Sequence, residues 1–205
     1  MLTSRVLQPV ASVDLRHEST VAGAEGGSAL RYFGKKKLAE MEAAGQFVLV
    51  ATKAVQERWA DIANSLERLF QDEHFDPDDS QASFEFLLAV IATQLQALPN
   101  LLTSDQATRI REYVMQCLSS PDLESYPRET IQEYDRAMNQ SLQQGEAPFY
   151  GVAALLFDKL DCRSTVESGG VKLKSPLVLM ALSEKVVTFG GGWWKALIQE
   201  FTLVP

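Results

Sequence analysis

FEFLLAVIATQLQALPNLLTSDQATRIREYVMQCL, residues 84–118, decides the fold class. Phe84, Leu87, Leu88, Ile91, Leu95 and Leu98 recur at the three- and four-residue steps of a helix stripe. Phe86 and Val90 widen that stripe, which predicts a central place in a bundle for a helix running from about Ser80 to Leu98. Pro99 ends it, because proline lacks a backbone donor and its ring clashes with the preceding turn. Thr103 and Gln106 then stand at capping-box spacing, and Ala107, Ile110, Val114, Cys117 and Leu118 supply a second apolar face that Pro121 closes. Two amphipathic helices around one proline break make an all-α reading the natural one.

The same period extends outward on both sides. Upstream, Val48, Val55, Trp59, Ile62, Leu66 and Leu69 form one stripe, which should end near Gln71. Gly45 weakens its start, so residues 35–44 read as a separate turn or a kinked beginning. Downstream, Tyr126-Pro127 opens a fourth helix carried by Ile131, Tyr134, Met138 and Leu142 as far as Gly145. Residues 148–160 are apolar on nearly all sides and predict a buried helix. A loop at 168–170 precedes a short strand at 171–174, and helices at 176–189 and 193–201 flank the triple glycine 190–192. Residues 1–34, punctuated by Pro9, the glycines of 23–27 and Gly34, read as a partly ordered arm in which VASVDL (10–15) is a candidate strand. The expected architecture is an irregular helical bundle of about six or seven helices over 35–205, with a partly extended N-terminal arm; no fixed-period repeat is present.

A chain of 205 residues should bury roughly 70% of its unfolded surface and needs no disulfide or metal to fold. Its net charge of −8 is uneven. Residues 1–37 hold six basic against three acidic groups, or +3, and the remainder holds thirteen against twenty-four, or −11. Such a body repels a phosphate backbone, so nucleic-acid binding is disfavoured and a basic protein partner is the better match. Two cysteines, Cys117 and Cys162, and an N-terminus without a continuous apolar run fit a cytoplasmic protein. Residues 86–102, the most apolar stretch, are interrupted by Gln94, Gln96, Pro99 and Asn100, so no transmembrane segment is expected.

Chemistry-bearing residues are scarce. The two histidines, His17 and His74, fall in predicted non-helical segments, too few for a di-iron or histidine–zinc centre, so no metal and no cofactor is expected. Gly34-Lys35 lacks the rest of a phosphate-binding loop, and Gly26-Gly27-Ser28-Ala29-Leu30 lacks the closing glycine of a nucleophile elbow. Cys117 reads as a small core residue, and Gly190–Gly192 reads as a turn rather than an anion nest. Lys35–Lys37, though suited to an anionic lipid surface, reads as a solvated helix start diluted by Glu40 and Glu42.

The recognition candidates are at the surface. Adjacent Trp193 and Trp194 cannot both point fully into one core, so one is a candidate for the surface, although both rings covering the bundle's end is the commoner arrangement; Phe201 opens an apolar terminus. Asp76, Asp78 and Asp79 sit in the acidic segment 72–79, whose ordinary role is to solvate a loop and cap the next helix. These features predict a non-enzymatic interaction protein (an adaptor, assembly subunit or inhibitor of a basic partner), able to form homo- or hetero-oligomers. The competing expectation is a small-ligand or enzymatic bundle with an apolar pocket among helices two, five and six, holding a carboxylate such as Asp158 or Glu184.

Overall fold

A computed structural model of the chain describes residues 35–70, 80–119, 125–161, 165–168 and 171–205. The proposed arm at 1–34 and the acidic segment with Asp76, Asp78 and Asp79 lie outside them, as do His17, His74 and Cys162.

Helix α2 (Ser80–Ala97) is the axis of an irregular all-α bundle: it touches α1 (Glu40–Phe70), α4 (Tyr126–Gln143), α5 (Pro148–Lys159) and α6 (Pro176–Gly190). Its wide apolar face is the reason, since Phe86, Leu87, Leu88, Val90, Ile91 and Leu95 are all buried. Residues 81–100 have the length and apolarity to cross a membrane, yet 72% of that window is buried inside the bundle. Pro99 does not stop the chain at once. Leu98–Asn100 tighten into a 3-10 turn, which α3 (Ser104–Leu118) follows.

The capping reading of α3 holds in part. The Thr103 hydroxyl oxygen accepts from the Gln106 backbone N–H at 3.4 Å, and the hydroxyl donates to Gln106 Oε1 at 3.2 Å. Ala107, Ile110, Val114 and Met115 are buried beneath α1, but Cys117 is exposed, and Leu118 packs only partly against the core. The assignment of Cys117 to the core is therefore corrected.

Helix α1 runs unbroken through Gly45, and it does not begin at Lys35. Residues Lys36–Ala39 form strand β1, paired in parallel with β4 (Phe201–Val204) so that Lys36 faces Phe201 and Ala39 faces Val204. The solvated-helix-start reading of Lys35–Lys37 is thus replaced by an edge-strand start, and Lys35 Nζ donates to the Ile198 carbonyl at 2.7 Å. Leu38 and Leu203, opposite each other in this pair, are both buried. A second small sheet pairs β2 (Thr165–Ser168) antiparallel to the predicted strand β3 (Val171–Lys174).

Glu40 closes the base of the bundle. Fully buried in the first turn of α1, it accepts from Arg109 Nε at 2.7 Å and Nη2 at 2.9 Å, a fork that ties α1 to α3. That hydrogen-bonded guanidinium holds the Glu40 carboxyl below the usual carboxylate range against the opposing effect of burial. Helices α4 and α5 approach closely at Gly151, where a Cβ would lie 2.2 Å from the Ala137 carbonyl oxygen.

Candidate functional site

Three regions carry features beyond core packing. The first is the aromatic end. Short helix α7 (Trp193–Glu200) starts from Gly192, whose φ of 82° is the left-handed conformation glycine accepts freely. Trp193 and Trp194 meet edge to face with centroids 4.6 Å apart, and both lie 5.0 Å from the Phe47 ring. Trp194 is only 1% exposed and its indole N–H has no hydrogen-bond partner. Trp193 and Phe201 are half-buried. The pair covers the flank of α1, leaving Trp193 and Phe201 as the accessible members of the expected aromatic surface.

The second region is the outer face of α6. Leu177 is 71% exposed and Met180 65% exposed, and Val187 continues the same stripe with exposed Glu184 between them. The spacing of three, four and three residues places all four on one side of the helix. Glu184, expected inside a pocket, stands instead on this outer surface.

The third region combines burial with charge where α2, α4 and α5 meet. Glu85 is 1% exposed and its Oε2 has no hydrogen-bond partner. Lys159 of α5 lies 4.0 Å from that oxygen, beyond hydrogen-bond reach, and 2.9 Å from Glu133 Oε2 of α4. The Lys159 ammonium also sits 5.8 Å from the centre of the Tyr126 ring. Fully buried Tyr134 leaves its hydroxyl without a partner. Burial pushes the Glu85 carboxyl up, with Lys159 opposing and the Glu133 charge adding to the rise. Burial pushes the Tyr134 phenol well up, reinforced by the charges of Glu85 and Glu133, so the hydroxyl lies in the field of both carboxylates.

An open groove of about 420 Å³ shares Glu133 and Lys159 with this cluster and is otherwise lined by Arg136, Ala137, Gln140, Leu155 and Asp158. It runs between α4 and α5, not among helices two, five and six, and of the two expected carboxylates only Asp158 reaches it. Asp158 is held by Lys174 Nζ of β3 at 2.5 Å, and the same ammonium donates to the Ala154 carbonyl at 2.9 Å. On the neighbouring face of α4, Asp135 pairs with Arg111 of α3 while its Oδ1 stays buried and unpartnered; burial pushes its carboxyl up against the pull of Arg111.

The signal for Glu85 is in the sequence: a carboxylate flanked by Phe84 and Phe86, inside the most apolar helix of the chain. Its partners could not be read there, because Glu133 and Lys159 come to it from other helices. Among the described residues no group of three or more His, Cys, Asp or Glu side chains is arranged to hold a metal ion. Comparison with protein-family models, curated proteins and solved structures finds no match for the chain.

Proposed function

We propose that this chain is a non-enzymatic helical interaction protein, acting as an adaptor, assembly subunit or inhibitor of a basic partner. The observation that carries the reading is the α6 stripe, where Leu177 and Met180 project 71% and 65% of their surface into solvent around Glu184. An apolar strip on a helix surface is suited to the apolar face of another helix. A body with −11 net charge beyond residue 37 favours a partner helix flanked by Lys or Arg. An exposed, free Cys117 fits the cytoplasm, where thiols stay reduced.

An amphipathic Leu/Lys helical peptide, titrated calorimetrically, tests the surface. The double variant Leu177→Ser, Met180→Ser should weaken its binding at least tenfold. Equal binding by variant and wild type would show that only diffuse charge attracts the peptide. A second reading, small-ligand binding, is favoured by the open α4–α5 groove, whose Lys159 lies 4.0 Å from the desolvated Glu85 carboxylate.

A further inference from the structure

The outer stripe of α6 has a second regularity. Leu177, Met180, Glu184 and Val187 step by three, four and three residues, the spacing of alternating a and d positions in a heptad. Val178, Leu179, Leu182 and Val186 are buried in the bundle, so the helix turns one face to the core and keeps a separate seam outside. The residues bordering that seam, Ala181, Ser183 and Thr188, are small and uncharged, which lets a second helix approach closely. Glu184 is the one ionised group on the seam. Lys185, the other charged residue of α6, is its neighbour in sequence, and adjacent helix positions do not face each other. Among the described residues Glu184 forms no ion pair.

That carboxylate decides what can cover the seam. A second copy packed in parallel sets Glu184 against Glu184, because a positions meet each other. In the antiparallel register that overlaps all four positions, Glu184 meets Met180, and two carboxylates lose water without gaining a cation. A helix with Lys or Arg at the facing position removes both penalties and adds a charge-assisted hydrogen bond inside an apolar contact. The net charge of −11 beyond residue 37 attracts such a helix and repels a second copy. Resting on the reading of α6 as the partner surface, we propose that it forms half of a heterotypic helix pair. In that pair Glu184 selects a partner helix carrying Lys or Arg between aliphatic anchors. Leu177, Met180 and Val187 receive the anchors, and the flexible Met180 side chain adapts to their shape. The seam spans about 15 Å, a length suited to a reversible contact.

Calorimetric titration of the full chain with two amphipathic helical peptides tests the pairing. The peptides share one sequence, with leucines along the seam and either lysine or glutamate at one central seam position. Wild type should bind the lysine peptide at least tenfold tighter than the glutamate peptide. Glu184→Lys should reverse that order, and because Glu184 is exposed the variant keeps the fold. Glu200→Lys, the same charge change at an exposed position of α7, should keep the wild-type order. The inference is overturned if Glu184→Lys keeps that order, or if Glu200→Lys reverses it as fully. It is also overturned if wild type forms a dimer that the double variant Leu177→Ser, Met180→Ser dissolves, since a second copy is then the occupant. When the double variant weakens both peptides while Glu184→Lys keeps the order, this inference alone falls. When neither peptide binds wild type, or the double variant binds both unchanged, the reading of the stripe falls with it.

Discussion

A methyl group added at Gly151 would sit 2.2 Å from the Ala137 carbonyl oxygen, whereas one added at Gly45 would meet only Cys117 Sγ, at 4.0 Å. Both glycines lie inside helices, so the same substitution should act with opposite signs. Gly151→Ala forces α4 and α5 apart and should cost about 2–3 kcal/mol. Gly45→Ala removes backbone freedom from the unfolded chain at a site with room, and should gain about 0.5–1 kcal/mol. Urea midpoints of the two variants check both signs. Glu85 makes a second residue-scale prediction. Its folded carboxyl titrates above the ordinary 4.5. The folded state thus holds the proton more tightly than the unfolded chain does, and the stability this brings is present below that value and lost as pH rises through the folded pKa. At neutral pH the ionised, incompletely paired carboxylate costs stability, so Glu85→Gln should raise the urea midpoint at pH 7 and match wild type in acid. A variant less stable than wild type at pH 7 would show that the Lys159 attraction outweighs the burial. Glu40 works the other way: its pKa is lowered, so its contribution is present at neutral pH and lost as pH falls through the folded value.

At the scale of elements, α3 owes its start to Thr103, and Thr103→Ala should destabilise the chain by about 1 kcal/mol, measured by thermal or urea unfolding. That cap was legible in the sequence because capping is local: donor and acceptor lie three residues apart. The same holds for α2, α4, α5 and α6, whose observed bounds fall within a few residues of those read from apolar period and proline position. The strands at Lys36–Ala39 and Phe201–Val204 were not legible, since four-residue segments carry little period and each becomes a strand only by meeting the other. Three lysines in a row also suggested solvent, and strand β1 meets that suggestion by leaving Lys36 and Lys37 exposed while Leu38 turns inward. The candidate groove was half legible. Asp158 was named in advance and Tyr134 was read as a helix-face residue, but nothing local singled out Lys159 or Glu133, which come together only when α5 packs on α4.

For the whole molecule, packing and the proposed recognition draw on different surfaces. The aromatic rings that looked suited to a partner mostly close the flank of α1, and the aliphatic stripe of α6 is left open to solvent. The ends of the described domain are joined by a parallel pair, and parallel strands cannot be linked by a tight turn. The entire helical bundle is therefore the crossover between Lys36 and Phe201. During synthesis, β1 leaves the ribosome before the described helices, and its partner is made only after all of them. A nascent chain halted short of residue 201 would hold every described helix yet keep Leu38 uncovered by Leu203, so closing the clasp follows the making of the helices it joins.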